Sequence, residues 1–174
     1  IDDHGSTHLK ENCKELFTSP VASLLQFIPI GIWLVMVKES NRYAHQMMQS
    51  QGPHKRTISG KPWKSDITIS ELMAFFGMML YMCLRPMPGK TYTHACSDTG
   101  WHPYTKNMSC ARFHQIRAVL HMSDNEDIGA KTDSLWKVRP LLNTLKLTAA
   151  RYVHVGCNLS LDETSIASKT MYGR

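Results

Sequence analysis

Asp162 and Glu163 form an ionisable pair at the end of a clearly patterned strand, the run from Val153 to Asp162. Val153, Val155, Cys157, Leu159 and Leu161 fall on odd positions, while His154, Asn158, Ser160 and Asp162 fall on even ones. That two-residue alternation is the pattern of a half-buried strand. Asp162 closes its polar face, and Glu163 on a continuing strand points to the other side. The two carboxylates therefore cannot flank one bond as the acid/base pair of a glycosidase does. A single carboxylate at a strand end suits metal binding. Two ordinary solvated acids at a strand-to-loop junction would read the same way in isolation. A hydrolase built on Asp162, Glu163 and His154 fails on this geometry unless a partner chain supplies the missing groups.

A second set of residues is cationic. Gly52 to Ser65 carries His54, Lys55, Arg56, Lys61 and Lys64 with Trp63 and no acid, and reads as a basic loop. From Lys38 to Leu120 there are eleven Lys/Arg against four acids, a net +7, which leaves −1 for the rest of a chain whose total is +6. Positive charge is thus gathered in the middle of the chain, as expected of a surface that meets phosphates, although a charge run is also the ordinary composition of a solvated face. Downstream, Ser109 caps a helix expected from Cys110 to His121, with Phe113, Ile116 and Leu120 as its apolar stripe. Beside that stripe His114, Arg117 and His121 line up with Arg112 nearby, giving a basic edge. Lys55, Arg56, Lys61, Lys64, Arg112 and Arg117 are the candidate phosphate contacts. His94, Cys96, His102, Cys110 and His114 are five potential zinc ligands within a short stretch, but their spacing matches no paired-knuckle pattern.

The elements that must position these groups are mostly helical. Ser19-Pro20 opens a short helix as cap and first position, and Pro29 breaks it. A second helix is expected from Ile30 to Gln49, stopped by Gly52-Pro53. Thr68 and Glu71 form a capping box before the longest apolar run, Leu72 to Leu84, which ends at Arg85-Pro86. Its methionines are read as gap-filling core residues. Pro86 to Asn107 reads as a long loop with a helical turn around residues 91–96. A last helix runs from Asp133 to about Ala150, and at Pro140 either it kinks or its first turn is separate. Leu135, Trp136, Val138, Leu141, Leu142 and Leu145 are its expected buried side. Residues 1–14 read as a polar, mobile lead-in.

A chain of 174 residues with 43% hydrophobic content supports one main core. Its five cysteines are odd in number, widely spaced and without a Cys-x-x-Cys pair, which argues against a disulfide framework and for a reducing intracellular compartment. The apolar run from Leu72 to Leu84 is shorter than the roughly 18–20 residues of a membrane span, so no membrane partner is expected.

The stretches ESNRYAHQM at 39–47, ITISELMAFFGMMLYMCL at 67–84, MSCARFHQIRAVLHMSDN at 108–125, DSLWKVRPLLNTL at 133–145 and GCNLSLDE at 156–163 resemble, in order and spacing, the piggyBac-type transposases and proteins derived from them. The resemblance implies a mainly α fold. Residues 15–151 would be a helical dimerisation and DNA-binding domain, and residues 152–174 the first strand and following loop of an incomplete RNase H-like (DDE/D) catalytic domain. It makes Asp162 the first catalytic carboxylate, a ligand of divalent cations (Mg²⁺) in a complete domain. It also implies DNA as partner, a homodimer, a nuclear location, and in-line attack on phosphodiesters by metal-activated water and then a 3′-hydroxyl. The family's short segment ending in Phe-Lys-Gly-Arg is replaced here by the longer TSIASKTMYGR after Glu163. With the other catalytic aspartates expected downstream, strand transfer is not expected from this chain alone. The rival expectation is a helical protein-interaction module, domesticated or decayed, whose basic middle only solubilises.

Overall fold

The computed structural model describes residues 6–52, 57–84, 108–126 and 132–157. Ser19 accepts a hydrogen bond from the Ala22 amide at 3.1 Å and starts α1 (Pro20–Phe27), with Pro20 in its first turn. Pro29 ends that helix as expected, and α2 (Ile30–Ser50) leaves at a bend of 70°. The break is tied down by the Trp33 indole, whose Nε1 donates to the Ile28 carbonyl at 3.0 Å. Along α2 the buried residues are Trp33, Met36, Ser40, Ala44 and Met48, a single stripe at helical spacing. After the helix Gly52 adopts φ 86°, the left-handed conformation glycine tolerates best. No single helix among the described residues is long and apolar enough to cross a membrane; α1 and α2 together are, but across that bend.

The stretch expected to be a basic loop contains a β-hairpin. β2 (Thr57–Ile58) pairs antiparallel with β3 (Lys61–Pro62) through the turn Ser59-Gly60, whose φ values of 53° and 71° are those of a type I′ turn. Ile58 is driven into the core at 1% exposure, and this burial holds so short a hairpin in place.

α3 (Ile69–Leu84) carries the expected capping box: the Glu71 amide donates to Thr68 Oγ1 at 3.2 Å, and the Thr68 amide to Glu71 Oε2 at 3.1 Å. Leu72, Phe75 and Met78 are its buried face. Met73 and Met82 pack against the core, whereas Met79 is exposed. α4 (Cys110–Val119) is capped by Ser109 and buries Phe113, Gln115, Ile116 and Val119. Phe113 meets Phe75 with ring centroids 4.8 Å apart. The core therefore lies where α2, α3, α4 and the hairpin converge. Two side-chain clamps close it: Asn41 both accepts from the Ile67 amide (2.7 Å) and donates to its carbonyl (2.9 Å), and Ser40 Oγ accepts from the His121 amide at 3.0 Å.

Of the two alternatives at Pro140, the separate first turn is the one found, while the expected buried side differs. α5 (Arg139–Tyr152) starts at Pro140's turn, and Asp133 to Val138 forms separate turns, fixed by an Asp133–Arg139 ion pair at 2.6 Å. Of the residues expected to be buried, Leu135 and Val138 are exposed and the others half-exposed; Tyr152 is the buried residue of α5. Proline without an amide hydrogen is tolerated in the first turn of a helix, so the helix begins there and the preceding apolar residues do not share its face.

The lead-in also differs. His8–Leu9 is a strand, β1, and Glu11–Leu16 a 3₁₀ helix that buries Cys13. β1 pairs antiparallel with β4 (Val153–His154) in the register His8 with His154 and Leu9 with Val153. The start of the expected 153–162 strand is thus paired within the chain rather than left open. Val155 and Cys157, on its expected inner face, are exposed, because no second layer covers that face among the described residues. Residues 158–162 lie outside them.

Candidate nucleic-acid interface

Arg112 is anchored rather than free. Its Nε and Nη2 donate to the two carboxylate oxygens of Glu71 at 3.0 and 2.9 Å, and Nη1 and Nη2 reach the Ser65 and Asp66 carbonyls at 3.0 and 3.2 Å. The guanidinium carbon lies 4.7 Å from the centroid of the Trp63 ring. Such a bidentate, stacked arginine is a fixed structural joint. Burial pushes the Glu71 carboxyl up, but the Arg112 and Thr68 hydrogen bonds outweigh it and hold the group below its ordinary value. Arg112, expected as a phosphate contact, instead fixes the segment 63–66 against α3 and α4. The two partners are 41 residues apart, and no local pattern announces such a pair.

Lys61 and Lys64 are exposed and have no ion pair or side-chain hydrogen bond among the described residues. The backbone at Lys61 is held firmly: Gln115, buried on α4, donates from Nε2 to the Lys61 and Pro62 carbonyls at 3.1 and 2.9 Å. The Ser59 hydroxyl donates to the His114 carbonyl at 3.3 Å, so the hairpin turn meets the edge of α4 that carries Arg117 one turn later. Arg117 is exposed and likewise unpaired among the described residues. Lys61 and Lys64 also line an open cleft of about 490 Å³ with Ser109 and Arg112. His121 leaves the basic edge it was expected to join. It stacks on Tyr43 at 3.8 Å between centroids, and burial holds its pKa below the ordinary histidine value.

On the other side of the 63–66 segment a larger open cleft, about 750 Å³, separates it from the end of α2. His45, Met48, Gln49 and Gly52 supply one wall at i, i+3, i+4 and i+7 spacing, and Trp63 to Asp66 supply the other. Lys64 and Ser65 line both clefts. His45 Nε2 and Asp66 Oδ1 are 2.9 Å apart across this cleft. The helical spacing of His45 and Gln49 was visible in the sequence, but nothing there said what faced them.

Lys55, Arg56, Asp162, Glu163 and the zinc candidates His94, Cys96 and His102 lie outside the described residues. Among those described, no three His, Cys, Asp or Glu side chains come together as a metal site. Among the described residues no disulfide joins Cys13, Cys83, Cys110 or Cys157.

No curated protein and no solved structure matches the chain. A family model described as Transposase IS4 matches residues 19–173, beginning at the Ser19 cap of α1 and running through Asp162. With a match over most of its length, the chain belongs to the IS4 family of DDE transposases.

Proposed function

We propose that this chain is a piggyBac-type member of that family, or derived from one, and that its helical domain binds DNA through the hairpin and the adjoining edge of α4. Lys61, Lys64 and Arg117 are the contacts, with Lys55 and Arg56 just before β2. The observation that carries this reading is the pair Lys61 and Lys64, both exposed and without an acidic partner among the described residues, the first on the strand that Gln115 pins to α4 and the second two residues beyond it. Arg112 contributes by holding that surface rigid rather than by touching phosphate. In the same reading residues from 152 onward begin an RNase H-like catalytic domain. Asp162 would there be the first of several carboxylates that hold Mg²⁺ in a complete domain, and the ions would activate the attacking oxygens. Dimerisation and a nuclear location come with the resemblance alone.

Fluorescence anisotropy with a short duplex across a salt series tests the binding. If about three or four cations neutralise phosphates, the logarithm of affinity falls against the logarithm of salt with a slope of roughly −3 to −4, and dissociation constants are micromolar or weaker at physiological salt. Lys61→Ala with Lys64→Ala lowers the slope by about 2, for all duplex sequences alike. A folded protein that shows no binding at about 50 mM salt overturns the proposal. That result would favour the interaction-module alternative, which the exposed Val21, Ile30, Leu34 and Leu147 on α1, α2 and α5 support.

A further inference from the structure

We infer that the cleft between the end of α2 and the 63–66 segment receives an unpaired nucleotide of a DNA strand whose phosphates run along the hairpin lysines. The inference rests on the DNA-binding reading and names the form of DNA it takes. Its volume, about 750 Å³, lies in the range of roughly 300–1,000 Å³ typical of clefts that enclose a small organic group. The walls are of the kind that hold a base. Trp63 offers the aromatic surface on which a base stacks without regard to sequence. The Arg112 guanidinium at 4.7 Å and its bonds to Glu71, Ser65 and Asp66 fix the indole in place, so a stacking base need not order it. Lys64 lines both this cleft and the cleft it shares with Lys61. A strand can therefore keep its phosphates near the two lysines while one base turns inward.

The rim supplies edge chemistry. Gln49 brings an amide that both donates and accepts, and it is exposed with no partner among the described residues. His45 engages Asp66 Oδ1 at 2.9 Å, which leaves the second carboxylate oxygen to accept from an exocyclic amine. Unstacking a base is least costly when it is already unpaired, so the preference should be for a bulge or gap rather than for intact duplex.

The test compares anisotropy titrations of the chain with two DNAs of equal length, one fully paired and one carrying a single unpaired adenine replaced by its fluorescent analogue. The unpaired DNA should bind about five- to tenfold tighter, with the analogue's emission quenched on binding. Gln49→Trp fills the cleft from an exposed helix position without changing a charge. It should abolish the preference and the quenching, and leave duplex affinity and its salt slope unchanged. Trp63→Phe keeps an aromatic ring in the same packing and should retain part of the preference. Lys61→Ala should weaken both DNAs by the same factor. Equal binding of the two DNAs by the unaltered chain, or a preference that survives Gln49→Trp in a folded variant, overturns the inference while leaving the duplex-binding reading intact. Failure to bind either DNA overturns both.

Discussion

Trp33, Met36, Ala44, Phe75, Phe113 and Ile116 are each 2% exposed or less where α2, α3 and α4 meet, whereas α1 buries no residue and α5 only Tyr152. Both regions are helical and supply leucine and aromatic side chains, although the methionines belong to the centre. The difference lies in what closes each region. The centre is locked by side chains reaching across long sequence separations: Asn41 to Ile67, Ser40 to His121, Gln115 to the hairpin, and Arg112 to Glu71. The corner formed by α1, α5, β1 and β4 has one aromatic knot. Tyr152 meets Phe17 and Phe27 edge-on at 5.4 and 6.2 Å and donates its hydroxyl to Gln26 at 3.0 Å. Around that knot Val21, Ile30, Leu34 and Leu147 face outward. Apolar material becomes core only where partners from several elements converge on it, and the hairpin provides that convergence in the centre.

The largest effect that could break this contrast is at Phe113. Phe113→Ala should cost about 3–5 kcal/mol, because the ring is fully enclosed against Phe75 and its neighbours cannot collapse into the gap. Phe27→Ala, at the half-buried corner, should cost clearly less. Urea unfolding of both variants decides it. Equal losses would mean that the corner is as well packed as the centre.

A smaller effect, with a pH signature, belongs to Glu71. Its carboxylate receives two bonds from Arg112 and one from the Thr68 amide, and its pKa is held below the ordinary 4.5 despite burial. A folded-state pKa below the unfolded one means the contribution is fully present above about pH 4.5 and is lost as pH falls through the folded value. Glu71→Gln should therefore destabilise by about 1–3 kcal/mol at neutral pH, and the gap from the unaltered protein should close in acid. Asp124 and Asp133 are also held low, by Arg42 and Arg139, so the unaltered protein loses stability in acid through them too. The difference between the two proteins isolates Glu71. A gap that stays constant down to pH 3, an acid limit chosen about 1.5 units below the unfolded value, would show that Glu71 acts by shape and capping alone.

Much of this architecture was legible in local chemistry. Ser19, Ser109, Pro29 and the Thr68–Glu71 box each set a helix boundary through groups within four residues, and each stands where the sequence placed it. The hairpin leaves only a weak trace in sequence: Ser59-Gly60 signals its turn, but lysines surround it and Ile58 is a single apolar residue. Arg112 and His121 are committed to partners elsewhere in the fold, which the sequence does not show. A cation's partner at a separation of tens of residues leaves no periodic trace, so free and committed cations look alike in sequence. The family resemblance rested on spaced stretches, and the family match covers the same region. Lys61 and Lys64 are identifiable as basic in the sequence, but the hold on Lys61 comes from Gln115, which reads as one more polar residue on α4.

The smallest expected effect is also the sharpest test of what the corner is. Leu147 is 73% exposed on α5, so Leu147→Gln removes almost no buried area and should change stability by less than about 0.5 kcal/mol. Val21, at 67% exposure on α1, should behave the same way. Two measurements on Leu147→Gln make the outcome decisive. If the corner is open to solvent, the unfolding midpoint of the unaltered protein is independent of concentration and the variant matches it. If a second copy covers this face, the midpoint of the unaltered protein rises with concentration, since association stabilises the folded state by mass action. The substitution then lowers the midpoint by an amount that grows with concentration, because a buried amide without a partner is costly. In that event the loosely packed corner is half of an interface core, and the contrast with the centre is one between a core closed within the chain and one closed between chains.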